Sequence, residues 1–109
     1  KYRLRRRLDY IKVQTQGKRY QTRNLIVLFQ SENGRCSRIG LTVSKKVGNA
    51  VVRNKIKRIL REGIRREYSQ ILGCFDVVFI ARPSIVRSSG IEIRKQITHV
   101  FQKISSESQ

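Results

Sequence analysis

Seven cations crowd the nineteen residues Ser44–Glu62, which read Ser-Lys-Lys-Val-Gly-Asn-Ala-Val-Val-Arg-Asn-Lys-Ile-Lys-Arg-Ile-Leu-Arg-Glu. The apolar residues keep a helical spacing, so these cations form a folded basic surface and not a loose basic tail. On a helix turning about 100° per residue, Val52, Ile56, Ile59 and Leu60 share one face. Arg53, Asn54, Lys57, Arg58, Arg61 and Arg65 cover roughly 140° on the other side. Arginine presents a fork that fits phosphate in two bonds, and lysine presents a point charge. Only Glu62 and Glu67 could neutralise this helix. Like charges at i, i+4 repel one another, and a bound polyanion would relieve that repulsion.

The whole chain carries the same bias. Its 25 Lys and Arg against 7 Asp and Glu give a net charge of +18 over 109 residues, with a pI near 11.3. Such a field steers polyanions and gives salt-dependent phosphate binding. An anionic membrane surface would want Trp, Phe or Leu facing lipid, whereas the helix offers a narrow Val/Ile/Leu seam suited to a protein core. No apolar run approaches the ~20 residues of a membrane span. The start, Lys-Tyr-Arg-Leu-Arg-Arg-Arg, lacks the apolar region of a signal peptide. A cytoplasmic protein is expected, with residues 1–109 as a single domain and 105–109 frayed. Cys36 and Cys74 have no CxxC partner and are expected as buried or half-buried free thiols.

Other chemistry is sparse. Asp9, Glu32, Glu62, Glu67, Asp76, Glu92 and Glu107 form no DxD, ExxH or similar ligand spacing. His99, the one histidine, stands beside Val100-Phe101 and suits a structural or surface role better than a general base. Asp76 opens an apolar run, where a cation could pair with it. No Gly-rich phosphate loop is present, so the chain does not read as a self-sufficient enzyme. Lys45 and Lys46 stand just before the basic helix, whose first N–H groups also favour anions. Tyr10 offers a ring on which a single-stranded base can stack, although such a ring is more often core.

Elements follow from the pattern. Leu8, Tyr10, Ile11 and Val13 predict a short helix over about 9–15, capped by Asp9 and ended by Gly17. A strand is expected over about 20–30, with Asn33-Gly34 making a hairpin to a partner strand at Ser37–Ser44. Gly48 is expected to supply unusual backbone angles in the cationic loop. The basic helix should run from Ala50 to about Tyr68, with Gly63 its weak point. Phe75–Ala81 reads as another strand. Ser89 and Glu92 form a capping box for a last helix carrying Ile93, Ile97, Val100, Phe101 and Ile104. The order α-β-β-α-β-α indicates an α+β fold, a small two-layer sandwich.

The run Ile39-Gly40-Leu41-Thr42-Val43-Ser44-Lys45-Lys46-Val47-Gly48-Asn49-Ala50 and its continuation through Glu62 closely resembles the signature of the bacterial ribonuclease P protein family. Arg3-Leu4, Asp9-Tyr10, Gly17 and Asp76 through Pro83 extend the likeness over nearly the whole chain. The resemblance implies a left-handed crossover holding the basic helix between parallel strands, where a right-handed one would otherwise be expected. It implies that a large RNA with bound magnesium does the catalysis, and that the protein binds no cofactor of its own. Arg53, Asn54, Lys55, Lys57, Arg58 and Arg61 match the residues expected to contact that RNA. Tyr10, Lys45 and Lys46 are expected to meet the 5′ leader of precursor tRNA in a cleft between the first helix and the sheet. Two departures stand out. Lys55 replaces the second arginine of the family's Arg-Asn-Arg run, and Gln14 and Leu28 stand where relatives often carry cleft aromatics. A small ribosomal or general RNA-binding protein would share the charge but not this long signature, and a protein-only nuclease would need clustered carboxylates.

Overall fold

Phe75–Ala81 is apolar at every position but Asp76, and it becomes a central strand paired on both sides. The computed structural model describes residues 7–31, 37–70 and 74–106. Its elements are α1 (Arg7–Gln16), β1 (Lys18–Gln21), β2 (Leu25–Ser31), β3 (Arg38–Thr42), α2 (Ala50–Glu67), β4 (Phe75–Ala81) and α3 (Gly90–Ser106). Short 3-10 turns lie at Tyr68–Gln70 and Pro83–Arg87. The sheet order is β1-β2-β4-β3, with β3 and β4 parallel and the other pairs antiparallel.

Two expectations about the strands are corrected. The segment over 20–30 is two strands, because Thr22–Asn24 make a tight turn in which Thr22 N–H donates to the Leu25 carbonyl at 2.8 Å. The hairpin is therefore β1–β2. β2 and β3 are not neighbours at all, since β4 lies between them. A strand apolar on both sides needs cover on both faces and partners at both edges, so it takes the centre. The Asn33-Gly34 turn lies outside the described residues, as does Cys36. Cys74 is a half-buried free thiol.

The sheet buries two unequal faces. Leu25, Val27, Phe29, Ile39, Val77 and Phe79 pack beneath Ile56, Leu60 and Ile64 of α2 and the apolar face of α3. All five residues predicted for that face, Ile93, Ile97, Val100, Phe101 and Ile104, are at most 1% exposed. The capping box forms as expected: Glu92 N–H donates to Ser89 Oγ and Ser89 N–H to the Glu92 carboxylate, both at 3.1 Å. α3 continues through residues 105 and 106, which close its last turn. Gly63 is where α2 approaches α3. An ideal Cβ there would stand 2.6 Å from Ile97 Cδ1, so the glycine serves close packing.

α1 crosses the opposite face, from β3 over β4 to β2. Tyr10 lies over Gly40, Val13 packs on Val78, and Gln30 Nε2 donates to Gln16 Oε1 at 3.2 Å. The helix starts two residues earlier than expected, so Asp9 sits inside it and not at its cap. Gly17 does end it, with its N–H on the Val13 carbonyl at 2.9 Å. Ile11 turns outward and is 40% exposed. Beyond α1, Asp76 is buried at 1% exposure and takes a fork of bonds from Arg38, 3.0 Å from Nε and 2.8 Å from Nη2. This is the cation expected beside it.

Candidate nucleic-acid interface

The basic helix begins at a built junction. Val43 and Val47 are both 6% exposed and anchor the two ends of a turn in which Val47 N–H reaches the Ser44 carbonyl at 3.0 Å. Lys45 and Lys46 lie between these anchors and are exposed. Asn49 then caps α2, its Oδ1 accepting from Val52 N–H at 3.0 Å. Capping satisfies one of the four free N–H groups at the helix start. Gly48 is not in a left-handed conformation, which corrects the expectation of unusual angles. Its role is room, since a Cβ would meet the Val52 side chain at 3.0 Å.

Along α2 the cations separate into three directions. Asn54, Arg58, Arg61 and Arg65 are exposed and form the outer ridge, opposite buried Ile56, Leu60 and Ile64. Arg53 and Lys57 lie on one flank and are half buried, and Arg53 Nε is shielded from water without a partner among the described residues. Lys55, about 200° around the helix from Arg53, is exposed on the other flank. The consecutive Arg53, Asn54 and Lys55 therefore address three surfaces and not one. Among the described residues, no ion pair ties Glu62 or Glu67 to these cations.

A second surface lies on the face that α1 crosses. Tyr10 is half buried against Gly40, with Leu28 and Ile80 packed in the same cluster. Ile26 and Ile80 are neighbours in register and half exposed, and Ile80 also pairs with exposed Thr42. Gln14 is exposed on α1. The resulting cleft has an apolar floor, one aromatic wall and, at the end of β3, the Lys45–Lys46 turn. Lys45 is five residues beyond Gly40, so the two are at most about 18 Å apart.

Two groups that carry this geometry escaped the sequence reading. Asn49 immediately before an apolar-periodic run is a recognisable cap signal. Gly40 inside a strand signals close approach of another group. Among the described residues no three His, Cys, Asp or Glu side chains gather as a metal site, and no described helix is long and apolar enough to cross a membrane.

Residues 1–105 match the family described as Ribonuclease P. The chain belongs to the ribonuclease P protein family. It is 38% identical over 101 residues to the ribonuclease P protein component of Alkaliphilus metalliredigens, covering 93% of this chain and 91% of that one. The corresponding component of Desulforapulum autotrophicum is 39% identical over 102 residues, covering 94% and 87%. The RNase P protein from Thermotoga maritima, solved with 1-(4-fluorophenyl)-2-thiourea, superposes with a TM-score of 0.86 at 34% identity, covering 94% of this chain and 99% of that one. A mirror-image connection would not superpose so well, so the β3–α2–β4 unit shares the hand of its relatives' crossover. The protein is thus a subunit of ribonuclease P, the endoribonuclease that matures tRNA 5′ ends, with catalysis belonging to the RNA subunit.

Proposed function

We propose that the protein binds its two RNAs on opposite faces of the sheet. The α2 ridge and flanks, Arg53, Asn54, Lys55, Lys57, Arg58 and Arg61, hold the catalytic RNA. The cleft with Tyr10, Lys45 and Lys46 holds the 5′ leader of precursor tRNA. The observation that carries this division is the placement of Tyr10 over Gly40, with α2 packed on the other side of the same strands. One layer of backbone separates the two surfaces, so two polyanions can be held together without sharing cations.

The role in processing follows from charge. Phosphates of catalytic RNA and substrate repel, and divalent ions or protein cations can offset that repulsion. Magnesium remains the metal of the RNA catalyst, which activates water and stabilises developing charge. The protein's ridge lowers the magnesium that assembly requires, and its cleft favours substrates with a leader over mature tRNA. The setting is the bacterial cytoplasm. Processing of precursor tRNA by the catalytic RNA at limiting magnesium, with and without protein, tests this reading. Protein should raise cleavage there and should not cleave alone. Magnesium-dependent cleavage by RNA-free protein would overturn it.

A further inference from the structure

We propose that the β1 edge and the outer row of α3 form a third RNA-binding surface, which takes the distal part of a long single-stranded leader. This rests on the reading that the proximal leader lies in the α1 cleft. Tyr20 pairs with Val27 in the β1–β2 ladder and therefore faces the helix-covered side of the sheet. Its ring centre is 5.9 Å from that of His99, with the planes tilted by 41°. His99 is exposed, and Lys95 and Lys103, four residues to either side, are exposed in the same row of α3. Lys18 lies two residues before Tyr20 on the same side of β1.

Two adjacent rings thus lie at the open edge of the sheet, with Lys18 on β1 and Lys95 and Lys103 spread about 12 Å along α3 beside them. The carboxylate nearest this row in sequence, Glu92, is hydrogen-bonded by the Ser89 N–H and hydroxyl at the start of α3 and is attracted by Lys95. Stacking rings beside backbone-tracking cations are what single-stranded nucleic acid requires, with no need for base identity. Neither the α2 ridge nor the cleft uses these residues.

The strand also supplies a route. Arg19 and Gln21 alternate with Lys18 and Tyr20, so they face the α1 side, and Arg19 Nη2 donates to Gln21 Oε1 at 3.0 Å. Arg19 stands level with Gly40 through Leu28 and Val78. A leader from the Lys45–Lys46 turn therefore crosses three strand spacings, about 14 Å, and also runs back along the sheet before it meets Arg19. Past that edge, the same strand offers Lys18 and Tyr20 on its other side.

Holoenzyme binding to precursor tRNAs with leaders of about four and about twelve nucleotides tests the proposal. The double variant His99→Ala/Lys95→Ala changes only exposed side chains, and Tyr20→Leu removes the ring while keeping apolar packing. Both should lower affinity for the long-leader substrate by at least about fivefold, with less than about a twofold change for the short one. Unchanged long-leader affinity in the His99→Ala/Lys95→Ala holoenzyme would overturn the proposal, whatever Tyr20→Leu does to folding. Equal losses on both leaders would overturn it too. Tyr10→Ala tests the cleft separately. If it changes neither substrate while the His99→Ala/Lys95→Ala loss persists, the cleft reading fails and the edge stands as an independent RNA site.

Discussion

The Tyr10 hydroxyl lies where a side chain on Gly40 would begin: an ideal Cβ at Gly40 would stand 2.6 Å from that oxygen and 2.8 Å from the ring. The tyrosine is thereby seated on the backbone of β3, and the height of the cleft wall is set by a residue with no side chain. Gly40→Ala should lift the ring without removing it. Leader-dependent affinity, measured as the ratio for precursor over mature tRNA, should fall about as far as in Tyr10→Ala. Stacking of one base is worth about 1–3 kcal/mol. A ratio unchanged in a folded Gly40→Ala protein would show that the ring's position is irrelevant to the leader.

Gly63 and Ile97 make a second pair of this kind, in the core and not at a surface. Gly63→Ala should destabilise the protein by about 1–3 kcal/mol through overpacking, less up to about 1 kcal/mol regained in helix propensity. Ile97→Val deletes the offending Cδ1. In that background the same Gly63→Ala change should become stabilising, by up to about 1 kcal/mol. A double-mutant cycle by urea denaturation checks the sign change, and additive effects would contradict the contact.

The three directions of the α2 cations predict separable effects on catalytic-RNA binding. Arg58→Ala/Arg61→Ala removes two exposed groups of one ridge and should leave the circular dichroism spectrum intact. The slope of log K against log salt should become shallower by roughly 0.7–0.9 for each phosphate that is no longer neutralised. Arg53→Ala is a different experiment, because its half-buried stem packs and its removal should also lower the melting temperature. An unaltered slope in the folded ridge variant would remove the outer ridge of α2 from the interface.

Glu92 gives a pH dependence. The Ser89 backbone N–H, then its hydroxyl, hold the Glu92 carboxyl below its ordinary value of 4.5, with Arg23 and Lys95 adding to this. A carboxylate depressed in the folded state stabilises the fold above its unfolded pKa, and that contribution disappears as pH falls through the folded value. Wild type should therefore melt higher than Glu92→Gln at pH 7, and the two should converge as pH drops below 4.5. Parallel curves down to that range would show that the cap carries no charge-dependent stability.

Much was legible in the chain because local rules governed it. The capping box at Ser89 and Glu92, the apolar face of α3, the strand Phe75–Ala81 and the amphipathic α2 all follow from side-chain periodicity and hydrogen-bond chemistry within a few residues. The charge that demands a polyanion is likewise a sum over residues, independent of fold. Sequence alone therefore determined that a basic helix exists, that Ile56 and Leu60 pack, and what class of partner it needs. Arg53 and Lys57, assigned to its open side, are instead half buried in the structure.

Tertiary structure alone decided who lies beside whom. Nothing local says that β4 separates β2 from β3, because strand order is settled by which segment can be buried on both faces and bonded at both edges. Nothing local says that Gly40 seats Tyr10 or that Gly63 admits Ile97, since the missing Cβ matters only once another element arrives. The same holds for Tyr20 and His99, 79 residues apart in the chain and 5.9 Å apart between ring centres. Their meeting is a product of sheet edge and helix row, and periodicity within either segment cannot reveal it.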